Sequence, residues 1–174
     1  NLHLASRLSD GADPTAGHAR TDLGALVDKI ELRFSLLGKM SGVQVVAARP
    51  DSPVWVICDP FIAERALSNI VHNAVTHGEQ GGNVAVVLEV IDDTFELVVS
   101  DDGPGVPPED LSMLAERTFR SDDARQRDVP GQGLGLAITH EIARRSGWTL
   151  EFAGVEPRDL TIFFESSAIL TFNG

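Results

Sequence analysis

The chain has 174 residues, and its 14 Lys and Arg against 26 Asp and Glu give a formal charge of −12. This length predicts one domain with a short appendage, and a hydrophobic fraction of 43% is enough for a buried core. A protein that binds nucleic acids or anionic membranes needs clustered Lys and Arg, so the acidic balance of this chain argues against both as partners. Lys29 and Lys39 are the only lysines, so a phosphate bound farther along the chain must be met by Arg, backbone N–H groups, helix dipoles or a metal.

The first residues follow a helical pattern that ends early. Leu2, Ala5 and Leu8 have helical spacing, and the Asp, Gly and Pro residues that follow break it. We therefore predict a helical stub over residues 1–12, a linker over 13–21 and one domain over 22–174. Because the chain starts inside a helical pattern and without Met, we expect it to be a piece of a longer protein.

Helical and β-rich patterns alternate through the domain. The predicted elements are a helix over 22–37 stopped by Gly38, strands over 43–47 and 54–58, a helix over 60–76, a strand pair over 84–91 and 94–100, a helix over 134–146, and strands over 148–153 and 160–165. A long Pro-, Gly- and charge-rich region separates the strand pair from the last helix, and such a loop is usually functional or disordered. The order predicts an α+β fold, a two-layer sandwich with helices on one face of a mixed, largely antiparallel sheet.

The second long helix carries two asparagines four residues apart. Asn69 and Asn73 share a face, which Thr76 extends, beside an apolar stripe. Asn is a poor helix former because its side chain competes for backbone hydrogen bonds. The pair is either a polar rim of the core or a set of carboxamide oxygens for a cation such as Mg²⁺, and this segment alone leaves both open.

A carboxylate and two glycines follow the predicted strand 94–100. Asp101, Gly103 and Gly105 form either an ordinary Asp-Gly turn or a site where a carboxylate accepts a hydrogen bond from an exocyclic amine.

A glycine-rich segment opens the last helix. Gly131, Gly133 and Gly135 would leave backbone N–H groups exposed at a helix N-terminus, where the dipole suits phosphate. This is neither a Rossmann fingerprint, because no strand precedes it, nor a P-loop, because no Gly-Lys-Ser/Thr occurs in the chain.

Taken in order, these motifs together with Phe119-Arg120 resemble the ATP-binding catalytic domain of sensor histidine kinases. The resemblance covers roughly residues 22–165, and it is specific because four individually weak motifs occur in the right order and spacing. It implies the Bergerat ATP-binding fold, which is shared with gyrase, a heat-shock chaperone and the mismatch-repair ATPases.

The resemblance also implies roles for single residues. Asp101 would accept a hydrogen bond from the adenine amino group, and Thr161 would help to hold its water network. Asn73 would ligate the Mg²⁺ that bridges the phosphates of ATP, with Asn69 beside it as the catalytic candidate. The resemblance also implies a flexible lid over the nucleotide, formed by residues 106–133. The other implied nucleotide-binding residues are His77, Gly103, Gly105, Val106, Phe119, Arg120, Gly131, Gln132, Gly133, Leu134, Gly135 and Leu136.

The implied partners lie outside this chain. Residues 1–11 resemble the end of the dimerisation and phosphotransfer domain, whose phosphoacceptor helix is absent from the sequence. We therefore expect transfer of the γ-phosphoryl group of Mg-ATP to a histidine of that domain, with a response regulator as the further partner. The parent protein is expected to be a homodimer with this domain in the cytoplasm, and an anchor in the inner membrane is compatible with this expectation. The fragment is expected to be a monomer that does not autophosphorylate alone.

One position separates kinases from hydrolases of this fold. Hydrolytic relatives have a glutamate as general base where this chain has Asn69, and an amide cannot take that role. A serine kinase of the anti-sigma type is a competing interpretation, against which residues 1–11 argue. A degenerate regulatory module is another, because Thr76 stands where many members have Lys or Arg. This leaves the phosphate charge to Mg²⁺, the backbone amides of residues 131–135 and the lid arginines, Arg120 first.

Overall fold

The computed structural model describes residues 17–78, 80–91, 94–103, 134–154 and 166–173. In chain order the elements are β1 (Ala19–Asp22), α1 (Leu23–Ser41), β2 (Gln44–Ala48), β3 (Trp55–Cys58), α2 (Pro60–His77), β4 (Asn83–Ile91), β5 (Thr94–Asp101), α3 (Gly135–Ser146), β6 (Thr149–Gly154) and β7 (Ser166–Asn173). Five strands form one sheet in the order β2-β4-β5-β7-β6, and β1 pairs with β3 in a second sheet. In the larger sheet β2 and β4 are parallel and the other pairs are antiparallel. The predicted α+β class is confirmed.

One hydrophobic core joins the helices to one face of the larger sheet. Val84, Val86 and Leu88 of β4 alternate into this core, and their neighbours on β5 include Leu97 and Val99. The three helices of the described ranges contribute to the same core, α3 through Ile142 and Ala143. Because successive strand residues point to opposite faces, this alternation gives the predicted two-layer sandwich.

Helix α1 is longer than its sequence predicts. The prediction that it stops at Gly38 is wrong, because the helix continues to Ser41 and is capped by Gly42 in the left-handed region, with φ 74°. Gly38 is buried instead, and a Cβ there would contact the carbonyl oxygen of Val43. The glycine allows the chain to return closely along the helix, where Val43 N–H donates to the Gly38 carbonyl at 2.8 Å.

We expect Gly38→Ala to lower the free energy of unfolding by about 1–3 kcal/mol, because the added methyl group overpacks this turn. Helix propensity alone would predict a gain of about 1 kcal/mol, so the sign of the change decides between packing and propensity. Urea unfolding measures it, with the exposed helix position Ser41→Ala as the control. A stabilised Gly38→Ala variant would contradict the packing argument.

Helix α2 begins and ends where the sequence predicts. The Asp59 carboxylate accepts hydrogen bonds from Phe61 N–H at 2.9 Å and Ile62 N–H at 3.3 Å, and Pro60 occupies the first turn. The residues of α2 that share the buried face are Ala63, Ala66, Leu67, Ile70, Val71, Ala74 and Val75. This stripe fixes the rotation of α2, and with it the direction of the asparagine face.

Two strands differ from the sequence expectation. Strand β1 includes residues 19–21, for which the sequence predicts a linker, and its partner is β3. The two strands between α1 and α2 lie in different sheets, because β2 pairs with β4 and β3 pairs with β1. Strand β7 was not predicted, and the strand expected over 160–165 lies outside the described residues.

Candidate functional site

Asp101 is the last residue of β5 and belongs to its core-facing side. It continues the alternation of Leu97 and Val99, both of which are buried, and its cross-strand partner is the fully buried Val84. Residues paired across an antiparallel ladder share a face of the sheet. The register therefore brings the Asp101 carboxylate to the helix layer at the edge of the core, where it is only half-buried.

Gly103 lets the end of β5 approach the end of α2. Its N–H donates to Asp101 Oδ1 at 3.0 Å. A Cβ built on Gly103 would lie 2.7 Å from Asp101 Oδ1 and 3.1 Å from the carbonyl oxygen of His77. A side chain at this position would displace the carboxylate or the helix end, so glycine is required by close approach.

A second carboxylate braces the same turn. Both oxygens of Asp102 accept from Asn83 N–H at 2.8 Å, and Asp102 Oδ2 also accepts from Asn83 Nδ2 at 3.0 Å. This ties the end of β5 to the start of β4. The sequence analysis did not predict the contact between Asp102 and Asn83. Its signal in the sequence is a second Asp directly after β5 and an Asn as the first residue of β4.

The first asparagine of the pair links α2 to α3. Asn69 Nδ2 donates to the carbonyl oxygen of Gly135 and to Thr139 Oγ1, each at 3.2 Å. A Cβ on Gly135 would lie 3.9 Å from Asn69 Cβ, so the backbone of α3 runs directly beside this side chain. Thr139 was not identified from the sequence, although it is a polar residue within the apolar stripe of α3.

The start of α3 presents a positive helix end. Leu134 is the N-cap residue and makes no side-chain capping hydrogen bond, and the first turn contains no acidic residue. The first-turn N–H groups of a helix have no partner within the helix, and together with its dipole they favour a nearby anion. Leu136 is partly buried against the core, which anchors this turn.

Asn73 lies between these two regions. It is half-buried on α2, one turn after Asn69 and one turn before His77, whose carbonyl faces Gly103. At 1.5 Å per residue, the helix from Asn69 to His77 spans about 12 Å. The described candidates thus follow one side of α2, from the start of α3 to the end of β5.

The hydroxyl group of Thr76 already has a hydrogen-bond acceptor within α2. Its hydroxyl donates to the His72 carbonyl at 2.6 Å, within the same helix. Such back-bonding is the usual fate of Thr in a helix.

Eight predicted site residues lie outside the described part of the chain. They are Gly105, Val106, Phe119, Arg120, Gly131, Gln132, Gly133 and Thr161. Their implied roles stay predictions. Within the described ranges, no group of three or more His, Cys, Asp or Glu side chains could hold a metal ion. No helix in those ranges has the length and apolar character needed to cross a bilayer.

His140 and Glu141 superficially resemble the start of a phosphoacceptor motif, but they lie on the outer side of α3. His140 is exposed. The Glu141 carboxylate accepts from Arg144 at 2.9 Å and 3.0 Å and also from Arg145. These hydrogen bonds, that of Arg144 first, lower the pKa of Glu141 to about 2. The carboxylate is thus committed to arginines of its own helix.

The geometry is that of an α+β sandwich with a carboxylate at a strand end, an asparagine face on one helix and the N-terminus of another. A sequence model of the family described as "Histidine kinase-, DNA gyrase B-, and HSP90-like ATPase" matches residues 58–168, which is more than half of the chain. The chain belongs to this family of ATPases, and the resemblance predicted from its motifs is confirmed.

The relatives that it matches carry kinase names. It is 45% identical over 107 residues to the signal transduction histidine-protein kinase/phosphatase MprB of Mycolicibacterium vanbaalenii, covering 61% of this chain and 22% of that protein. It is 30% identical over 144 residues to the sensor histidine kinase WalK of Bacillus subtilis, covering 82% of this chain and 23% of that protein. The chain therefore spans less than a quarter of either relative.

A solved structure has the same fold over most of its length. The mycobacterial sensor histidine kinase MprB superposes with a TM-score of 0.72 at 29% identity, covering 88% of this chain and 95% of that one.

Proposed function

We propose that this chain binds Mg-ATP and is the catalytic domain of a two-component sensor histidine kinase. The observation that carries the proposal is the line of groups along α2, where Asp101, Asn73, Asn69 and the start of α3 follow one another. A carboxylate acceptor at one end and a positive helix terminus at the other suit the amino group and the phosphates of one nucleotide. The kinase names of the matched relatives support the same class.

In this proposal Asp101 accepts a hydrogen bond from the adenine amino group. Gly103 N–H already holds one carboxylate oxygen at 3.0 Å, which fixes the orientation of the side chain. An ionised carboxylate offers about four acceptor positions, so it can bind a second donor while it keeps the first. The brace between Asp102 and Asn83 keeps the turn rigid while the ligand binds.

The phosphates extend towards the start of α3. In this proposal its N–H groups bind phosphate oxygens, and the predicted roles of Arg120 and the glycines of the 131–135 segment are to bind the same phosphates. Asn73 suits Mg²⁺ because its side chain is half-buried, its amide oxygen is a hard ligand and Mg²⁺ commonly takes its remaining ligands from phosphate and water. The bound ion would supply neutralisation of phosphate charge.

The reaction proposed is phosphoryl transfer. A histidine nitrogen of the dimerisation domain attacks the γ-phosphorus, the bond to the β,γ-bridging oxygen breaks, and ADP leaves with that electron pair. Asn69 has no basicity with which to activate water, and its amide N–H₂ is already committed to α3. This chain therefore contributes positioning and charge neutralisation, and we expect it to hydrolyse ATP poorly.

The partners follow from this reaction. They are the dimerisation and phosphoacceptor domain of the parent protein and a response regulator. We propose a homodimeric parent with this domain in the cytoplasm, and a fragment that is monomeric when isolated.

Two measurements test the proposal. A fluorescent ATP analogue should bind the chain, and more tightly with Mg²⁺ than with EDTA. Radiolabelled γ-phosphate should then pass to the separately prepared dimerisation domain of the parent protein, and the chain alone should remain unlabelled. Absence of nucleotide binding would contradict the ATP assignment, and rapid ATP turnover without a partner would contradict the role given to Asn69.

Gly103→Ala tests the close approach at the end of β5. The added methyl group meets the Asp101 carboxylate and the His77 carbonyl, so we expect nucleotide affinity to fall about 10-fold or more. Gly81→Ala is the control, because an added Cβ at Gly81 would have no atom within 4 Å, although the φ of 89° at this position adds local strain. If Gly103→Ala bound the analogue as the parent sequence does, the carboxylate would not need this geometry.

A further inference from the structure

Arg65 on α2 is the one described arginine without a carboxylate or an aromatic ring beside it. The Nε atom of its guanidinium group is buried and has no hydrogen-bond acceptor among the described residues, although the residue as a whole is partly exposed. The nearest carboxylate along the chain, that of Glu64, pairs with Lys29 at 2.6 Å and lies 3.8 Å from Arg33. The described arginines that do have such a partner are Arg20, Arg33, Arg49, Arg144 and Arg145.

A second polar group without a partner lies next to Arg65. Ser68 Oγ is also buried and makes no hydrogen bond within the part of the chain that the structure describes. Residues three positions apart are neighbours on the surface of a helix. A buried polar atom without a partner costs free energy, and few such atoms occur in native proteins. Because this chain has 26 Asp and Glu and none of the described ones pairs with Arg65, we expect the missing acceptor to come from another molecule.

Arg65 continues the line of candidate groups along α2 by one turn. It lies four residues before Asn69 and therefore shares a face of the helix with it. The carbonyl oxygen of the next residue, Ala66, lies 3.5 Å from Thr139 Oγ1, so this part of α2 runs beside the first turns of α3. The proposed nucleotide extends from Asp101 to the start of α3, which places Arg65 past its phosphate end. Side chains of a helix lean towards its N-terminus, so Arg65 leans away from the phosphates.

We propose that Arg65 is a positioning residue that binds a carboxylate of the phosphoacceptor domain and so aligns the acceptor histidine with the γ-phosphate. This inference rests on the proposed function, because it assigns a contact to the partner of that reaction. In-line transfer requires the attacking nitrogen to lie opposite the bridging oxygen, which is the end of the site where Arg65 lies. A guanidinium group binds a carboxylate through planar, paired donors, and the cover over Nε limits the rotation of that plane.

The test is phosphotransfer from Mg-ATP to the separately prepared dimerisation domain of the parent protein. We expect Arg65→Gln to raise the KM for that domain about 10-fold or more, as expected for loss of a hydrogen bond between charged groups. The kcat and the dissociation constant of Mg-ATP should stay within about twofold. Arg33→Gln is the matched control, because it removes the same charge from a side chain that is 62% exposed on α1. All three constants of the control should stay within about twofold.

Two results of these kinetics would overturn the proposal. An unchanged KM in Arg65→Gln would show that the guanidinium group does not contact the phosphoacceptor domain. Weaker binding of ATP with unchanged binding of ADP would show that Arg65 contacts the γ-phosphate instead. A fall in kcat and in the free energy of unfolding, without a change in KM, would show a structural role only.

A second readout needs no variant. In ¹H–¹⁵N spectra of the parent sequence, the Nε–H resonance of Arg65 should stay in place when Mg²⁺ and a non-hydrolysable ATP analogue are added, and it should shift when the dimerisation domain follows. Absence of a shift at the second step overturns the proposal, whether or not Arg65→Gln folds. Failure of the parent sequence to bind the analogue would reject the proposed function, and titration with the dimerisation domain alone would then still show whether Arg65 contacts it.

Discussion

Replacing Asp101 by Asn should remove most nucleotide binding. The amide keeps one oxygen for Gly103 N–H but presents N–H₂ where the carboxylate has its second oxygen, so two donors would face each other at the adenine amino group. A hydrogen bond to a charged group contributes about 1.5–3 kcal/mol, so we expect the dissociation constant of Mg-ATP to rise about 10- to 150-fold. Calorimetry or the fluorescent analogue measures this.

A comparison of nucleotides makes the Asp101 test specific. GTP carries an oxygen where ATP carries the amino group, so a carboxylate should discriminate against it and Asp101→Asn should reduce that discrimination. Asp51→Asn is the matched control, because it removes the same charge from an exposed turn. If Asp101→Asn weakened ATP and GTP by the same factor, the carboxylate would not contact the amino group.

Asn73→Ala should remove the Mg²⁺-dependent part of nucleotide binding. Loss of the amide oxygen should weaken binding in Mg²⁺ about 10-fold or more, which is about 1.4 kcal/mol, and bring it close to the value in EDTA. Binding in EDTA should be nearly unchanged, since the proposed adenine contact is made by Asp101 and not by Asn73.

We expect Asn73→Ala to weaken nucleotide binding without lowering the free energy of unfolding. Ala has a higher helix propensity than Asn, so Asn73→Ala should be as stable as the parent sequence or more stable by up to about 0.7 kcal/mol. His72→Ala is the control, because it changes the preceding, exposed position of the same helix. A loss of binding that is equal with Mg²⁺ and with EDTA would argue against Asn73 as a metal ligand.

The sequence predicted the elements whose signals are local. Helix α2 has its N-cap Asp59, its proline and a regular apolar stripe within 18 residues, and its predicted bounds agree with the structure within one residue. The strands β4 and β5 alternate clearly and are neighbours in both sequence and sheet. Strand β1 has four residues of mixed polarity. It is defined by its pairing with the distant β3, which a local sequence pattern cannot predict.

The site was predictable to the same extent. Asp101, Asn73 and Gly135 belong to short motifs that the sequence shows directly, and their roles stay predictions, whereas the hydrogen bond between Asn69 and Thr139 joins residues 70 positions apart. Gly38 shows a related limit, because a local rule treats glycine as a helix stop and only the packed structure shows the carbonyl group beside it. The contact of Thr139 joins distant segments, and that of Gly38 depends on the turn that follows its helix.

The pairing of Asp101 with Val84 also determines how the chain tolerates changes in length. Insertion of one residue in β5 ahead of Leu97 would exchange the two faces of the residues that follow it, and it would turn the Asp101 carboxylate away from the helices together with Leu97 and Val99. Insertion of two residues would restore the facing but move the carboxylate beyond the end of α2. Strand β5 therefore allows substitution on its outer face but no change in residue number, so natural variation in length is expected to fall in the connections around it.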